Sequence, residues 1–304
     1  MASPRHTLRR HGKSFYWAAR FLPLDQAVDA ARLYAFCRYV DDLVDLGVDG
    51  GGDPHQVRER LAALRRDLAR GASDDPTMAD LLTLLAERDI DPQVVDTLLL
   101  TLEQDLTPLA IADWEQLLRY AYGVASTVGI AMCRVLEIRD PRALPFAIDL
   151  GIAMQLTNIA RDVQEDARRQ RRYLPEPALS PATILKGQER GRVDRAVDAI
   201  LAAAQRYYRS ADRGMHYIPL RARLGILIAA RVYEAIGTKI RRRRALFWRG
   251  RGATRPAEKA WHTLRAVTAL LCLPRYWSRH RGSPHDAHLH RCLKGLPGAD
   301  APTG

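Results

Sequence analysis

Carboxylates recur at one spacing in two places in this 304-residue chain. In the segment 34–45 the acids are Asp41 and Asp45, and in the segment 155–166 they are Asp162 and Asp166. One helical turn is about 3.6 residues, so the members of each pair share a helix face. An Arg accompanies each pair: Arg38 stands three residues before Asp41, and Arg161 stands next to Asp162. Like charges four residues apart destabilise a helix. An apolar helix has little reason to carry them twice unless something positive sits between them. Hard oxygen ligands on two facing helices suit Mg²⁺, which binds through a few carboxylates, waters and substrate phosphates. The guanidinium groups suit phosphate oxygens, which they grip with paired N–H donors. Either cluster alone reads equally well as a solvated helix face, because short motifs match by chance. Two matching clusters in one helical chain argue for a site.

The elements that must position these residues are helices. Alternating patterns are rare, and Ala, Leu and Arg, all strong helix formers, dominate. Helices are expected near 25–46, 55–70, 76–88, 92–104, 113–137, 142–167, 183–213, 218–245 and 256–279, with breakers such as Asp91-Pro92 and Asp140-Pro141 between them. No internal repeat and no linker divides the chain, so one all-α domain over residues 10–280 is expected. From Arg281 onward Gly, Pro and His are frequent and periodicity is lost, so a disordered tail over 281–304 is expected. His280, His285, His288, His290 and Cys292 lie in or beside this tail. Imidazole and thiolate are good transition-metal ligands, but a polar frayed tail is the simpler reading and no site is assigned there.

Composition narrows the partners. Lys and Arg number 47 against 35 Asp and Glu, a formal charge of +12 that favours anionic partners. No helix reads as a base-reading recognition helix, so no nucleic-acid partner is expected. The four cysteines form no CxxC pair and no zinc spacing, which fits a reducing compartment. The basic N-terminus is not followed by an apolar run, and no uninterrupted apolar stretch approaches the roughly 20 residues that span a bilayer. The run Lys239 to Arg244, with Arg249 and Arg251, is a basic strip that reads as a solvated face, an anion site or a patch resting on anionic lipid.

Other segments leave alternatives open. Residues 120–129, Tyr-Ala-Tyr-Gly-Val-Ala-Ser-Thr-Val-Gly, place two glycines in a helix that they weaken. They permit either close helix packing or a lowered wall beside a long ligand, with Tyr122 at its mouth. His11 to Phe15 offers hydroxyl, ammonium and backbone N–H groups that could cap a diphosphate. Arg168, Arg169, Arg171 and Arg172 follow the second acid pair at once, which favours phosphate binding over solvation.

With its segments 11–15, 34–45, 120–129, 155–166, 171–175 and 229–233, the chain resembles the squalene/phytoene synthase family, most of all its bacterial phytoene-forming members. Asp41 to Asp45 is similar to the family's DxxxD motif, and Asn158 to Asp166 to its NIxRDxxED element. The resemblance implies a class I isoprenoid synthase fold, all-helical with a central cavity. It implies head-to-head joining of two geranylgeranyl diphosphates through a cyclopropyl diphosphate. Farnesyl diphosphate-using relatives that make squalene, hydroxysqualene or dehydrosqualene are the alternative, and a non-catalytic basic helical scaffold is a weaker one. Asp41, Asp45, Asp162 and Asp166 would hold Mg²⁺, or Mn²⁺ in its place. Arg38, Arg161, Arg171, Lys13 and Ser14 would bind phosphate oxygens. Phe15, Tyr34, Tyr122, Tyr173, Tyr233, Gln155 and Asn158 match positions that line or polarise the site. Arg251 is a weaker match, because Arg241 to Arg251 offers many arginines. A cytoplasmic protein attached peripherally to the inner face of the membrane is expected.

Overall fold

The computed structural model describes residues 6, 13–49, 52–242, 248, 256–273, 276 and 284–301. In chain order the helices are α1 (Lys13–Ala19), α2 (Leu24–Asp49), α3 (Pro54–Arg70), α4 (Pro76–Arg88), α5 (Pro92–Glu103), α6 (Trp114–Ala121), α7 (Thr127–Val135), α8 (Leu144–Arg168), α9 (Pro181–Leu185), α10 (Arg190–Gly214), α11 (Leu220–Arg242) and α12 (Pro256–Cys272). Among the described residues there is no strand, and the one β-type pairing is a parallel bridge between Ala110 and Arg172.

Asp-Pro pairs start helices as well as separating them. Asp53, Asp75 and Asp91 each accept backbone N–H groups two or three residues on, and each is followed by Pro at the first helical position. The carboxylate satisfies an orphan donor, and Pro lacks the N–H that would need one. Two expected helices are interrupted. The segment 113–137 contains a π-helical turn at Tyr122–Ser126 between α6 and α7. The segment 183–213 breaks where Gly187 takes φ +64°, which only Gly adopts without steric cost. Lys13–Ala19, where no helix is expected, is helical.

Helix α8 is the central beam, packed against α10, α7, α11 and the π turn. It is long and apolar enough to cross a bilayer by composition, but 72% of that apolar window is buried, as in a core helix. One hydrophobic cluster surrounds α8 and α10, another joins α2 to α5, and Val124 in the π turn packs against both. The approach of the π turn to α8 depends on small residues. The Ser126 hydroxyl donates to the Ile148 carbonyl at 2.8 Å, and a Cβ on Gly151 would lie 2.6 Å from the Ser126 Cα.

The expected disordered tail is corrected for residues 284–301. Leu293 is fully buried in the main core. The Tyr207 hydroxyl donates to the Leu289 carbonyl at 3.0 Å, Arg119 donates to the Cys292 carbonyl at 2.6 Å, and the Tyr122 hydroxyl donates to the Pro297 carbonyl. The missing periodicity reflects a 3₁₀ helix at Ala287–Leu293 and turns beyond it, held by long-range bonds. Residues 281–283 and 302–304 lie outside the described residues.

Gly151→Ala tests the close approach. Helix propensity alone would favour Ala by about 1 kcal/mol, but overpacking against backbone costs about 1–3 kcal/mol. Thermal melting should therefore show a lower Tm, and an unchanged or raised Tm would mean that the crossing has slack.

Candidate active site

An apolar cavity of about 360 Å³ runs between α2 and α8 and opens beside Asp41, Gln155 and Asn158. Its α8 wall extends from Asn158 through Gln155, Met154, Gly151, Leu150 and Ala147 to Phe146, with Ala143 just before the helix at the far end. At 1.5 Å per residue the helical part of this wall is about 18 Å long. On α2 the wall is formed by Cys37, Tyr34, Leu33 and Ala30, successive positions on one helix face. Val124, Ala125, Val128 and Gly129 close another side, whereas a Cβ on Gly123 would strike the Thr101 hydroxyl 2.0 Å away. The stretch 123–129 thus serves both purposes left open by its composition: Gly123 allows packing, and the residues after it form the wall. Near the mouth, the Phe15 ring lies 6.2 Å from Tyr34 and 5.2 Å from Tyr233.

The carboxylates gather at that mouth. Burial pushes the Asp41 carboxyl up to about 7, with Asp45, Asp105 and Asp42 adding to the rise and Arg38 opposing it. Asp41 is open to the cavity, but the protein around it displaces much of the water that would solvate a charge. Asp166 is pushed well above the usual carboxylate range by burial and then by Asp162, with Glu165 and Asp105 contributing. Asp105, itself raised chiefly by burial, is the carboxylate whose charge acts on members of both motifs. Arginines thread among these acids. Arg161 grips Asp162 with two bonds of 2.8 and 2.5 Å, Arg38 donates to Asp42, and Arg169 lies 3.1 Å from Asp45 and 3.8 Å from Glu165. Arg169 thereby ties α2 to α8.

Crowded carboxylates of raised proton affinity are what a divalent cation would relieve, so the donor set fits Mg²⁺. Three buried polar atoms at the mouth have no hydrogen-bond partner: Asn158 Oδ1, Arg38 Nε and Arg171 Nε. A buried unpaired donor is costly. The two guanidinium donors fit anionic oxygens, and the amide oxygen fits a cation or its water.

The structure brings together Asp41, Asp45, Asp162, Asp166, Arg38, Arg161, Arg171, Tyr34, Phe15, Tyr233, Gln155 and Asn158 at or beside the mouth. Tyr122 is a correction. Its side chain is fully buried, and its hydroxyl bonds the tail at Pro297, not the cavity. The tyrosine facing the site is Tyr120, two residues earlier and therefore about 200° around the helix. Its hydroxyl donates to Asp105 at 2.8 Å and lies 3.1 Å from the Tyr173 hydroxyl, which also donates to Asp105, at 2.9 Å. Arg171 donates to the Asp105 carbonyl at 2.9 Å. Arg172 is structural: it is buried and donates to the Ile111 carbonyl at 2.7 Å. Lys13 and Ser14 start α1, but their side chains lie outside the described residues, as does Arg251. Asp105 and Tyr120 were missed in the sequence. An acid at the C-terminal end of an apolar helix, against the helix dipole, was the available signal for Asp105.

The Asp41 carboxyl sets a sign for pH dependence. Its folded pKa is raised, so its stabilising contribution is complete below the unfolded value and is lost as pH rises through about 7. In metal-free protein, the fall in Tm between about pH 4 and 7 should be smaller in Asp41→Asn than in wild type. The same variant should lose most Mg²⁺-dependent turnover. Equal pH slopes in the two proteins would contradict the crowding of Asp41.

Comparison with known proteins places this geometry in a family. The Squalene/phytoene synthase family model matches residues 8–259. The chain is 34% identical over 266 residues to the phytoene synthase of Pseudescherichia vulneris, covering 83% of this chain and 86% of that one. It is 36% identical over 263 residues to the 15-cis-phytoene synthase of a Paracoccus strain, covering 81% and 84%. A solved dehydrosqualene synthase shares the fold with a TM-score of 0.75 at 22% identity, covering 88% of this chain and 95% of that one. With its paired acids over an apolar cavity between α2 and α8, the chain belongs to the squalene/phytoene synthase family.

Proposed function

We propose that this protein is a Mg²⁺-dependent phytoene synthase that joins two geranylgeranyl diphosphates head to head through a cyclopropyl diphosphate and releases diphosphate. The observation that carries the reading is the meeting of both Asp motifs at the mouth of one apolar cavity, in a chain about a third identical to phytoene synthases. Asp41, Asp45, Asp162 and Asp166 would hold Mg²⁺, which neutralises the charge of the departing diphosphate. Arg38, Arg161 and Arg171 bind its oxygens and orient it toward the mouth. The α2 and α8 walls exclude water from the allylic cation left behind. Phe15, Tyr34 and Tyr233 offer ring faces, each worth roughly 0.5–2 kcal/mol to a cation. Tyr34 stays a neutral phenol, since burial pushes it up to about 12. Asp105, Tyr120 and Tyr173 act through Arg171, holding the segment that carries it.

Product analysis tests the reading. Purified protein with Mg²⁺ should convert geranylgeranyl diphosphate to phytoene without NADPH, and Asp162→Ala or Asp166→Ala should nearly abolish turnover while leaving the helical spectrum intact. C30 hydrocarbons from farnesyl diphosphate as the main product, or full activity in both variants, would contradict it.

Chain length is set along the cavity wall. Ala125 faces the cavity, so Ala125→Leu should raise the ratio of C30 to C40 product with little change in Tm. Gly129→Leu is a poorer probe, because a Cβ there would lie 2.8 Å from the Ala147 carbonyl oxygen. A lowered Tm with an unchanged ratio for Ala125→Leu would assign that position to packing alone.

The reading extends to a cytoplasmic protein resting on the inner membrane surface. On α12, Trp261, Leu264 and Leu271 recur at helical spacing and are 58%, 57% and 67% exposed. On α11, which packs against α12, Lys239, Arg241 and Arg242 supply positive charge in the last turn. Each basic residue near an anionic bilayer adds about 1 kcal/mol. Flotation should show binding to anionic vesicles at low salt, weakened at high salt and in Trp261→Glu. No binding at low salt would sink the idea.

A further inference from the structure

A second cluster of ligating side chains lies away from the aspartate motifs. The two Asp149 oxygens each face one imidazole: Oδ2 is 2.9 Å from His285 Nε2, and Oδ1 is 2.9 Å from His290 Nε2. The two rings are 4.4 Å apart, and one donor atom from each of the three residues falls within 4.8 Å of the others. All three side chains are buried, Asp149 completely. Asp149 lies on α8, whereas both histidines lie in the segment 284–301, beyond the region matched by the family model. The functional reading uses none of them.

The arrangement has the chemistry of a structural metal site. Imidazole nitrogen and carboxylate oxygen are ordinary ligands of Zn²⁺, and a five-residue step between histidines falls within the spacing of known zinc sites. A four-coordinate ion with bonds near 2.0–2.1 Å places its ligand atoms about 3.3 Å apart. The observed 2.9 Å separations need to open by only a few tenths of an ångström. One ion facing the two imidazoles takes both Nε2 atoms and one Asp149 oxygen, three of the four positions of a tetrahedral site. The His285 Nδ1 is buried without a hydrogen-bond partner. Without a metal, the 2.9 Å contact with the Asp149 carboxylate keeps the proton on Nε2, and an ion bound there would leave the ring proton on Nδ1.

The location gives such an ion a task. The segment 284–301 contains a 3₁₀ helix and turns, and it has too little core of its own to fold unaided. Short elements of this kind commonly draw their stability from a bound metal. The cluster also backs the far end of the cavity, where the Phe146 ring meets His285 edge-on at 5.4 Å. We propose that Asp149, His285 and His290 bind one divalent transition-metal ion of the zinc class, which staples the C-terminal segment to α8.

The test uses full-length, tag-free protein stripped with a chelator and titrated with Zn²⁺ or Co²⁺. One ion per chain beyond any taken up by the aspartate motifs should bind, Tm should rise on binding, and Co²⁺ should show the visible absorption of a four-coordinate site. His285→Ala and His290→Ala should lose the binding and the rise in Tm. His290→Cys, which keeps a ligand, should retain both. His288→Ala, at an exposed neighbour, and Asp41→Asn, at the aspartate motifs, should keep the four-coordinate Co²⁺ absorption and the rise in Tm. No rise in Tm and no Co²⁺ absorption in the wild-type protein would overturn the proposal, whether or not the alanine variants fold. Four-coordinate Co²⁺ absorption that survives in His285→Ala and His290→Ala, or disappears in Asp41→Asn, would overturn it too.

Discussion

Poor solvation and mutual repulsion of carboxylates crowded at one cavity mouth are the constraint on which this structure turns. Asp41, Asp45, Asp105, Asp162 and Asp166 act on one another across the end of one cavity, with raised proton affinity at Asp41, Asp105 and Asp166. Such a cluster costs stability, and the fold offsets it locally. Arg161 doubly bonds Asp162, Arg169 joins Asp45 to Glu165, and two tyrosine hydroxyls occupy both oxygens of Asp105. The cost is retained where a cation and an anionic ligand can use it, as stored strain is at functional sites.

Helix α8 transmits this arrangement through the molecule. One side carries Gln155, Asn158, Asp162 and Asp166 toward the mouth, and the same side meets the π turn one turn back, at Gly151. Further back, Asp149 holds the C-terminal segment through His285 and His290. The apolar wall and the charged mouth therefore share one rigid element, so the length of the cavity and the position of the carboxylates are not independent. The π turn belongs to the same design: it re-aims the chain between α6 and α7 so that Ala125 and Val128 face the cavity while Gly123 packs on Thr101.

The acid pairs were legible because helical periodicity converts a four-residue step into a shared face, and the all-helical class was legible from composition. What escaped depends on rotation and on distant partners. Tyr120 and Tyr122 are two residues apart in one motif but point to nearly opposite sides, and the π turn after Ala121 alters the helical phase. Asp105 acquires its role from Tyr120, Tyr173 and Arg171, which a local reading cannot connect to it. The tail looked disordered because its partners lie far back in the chain: Asp149 is 136 and 141 positions from its two histidines. Long-range bonds of this kind leave no periodic trace.

The central claim is that these carboxylates and arginines form a joint site for divalent cation and diphosphate. Thermal melting with Mg²⁺, with inorganic diphosphate and with both together measures it directly. The account requires the combined rise in Tm to exceed the sum of the separate rises in wild type and to collapse in Asp45→Ala and Asp166→Ala. Additive shifts in wild type, or the same combined shift in both variants, would contradict it.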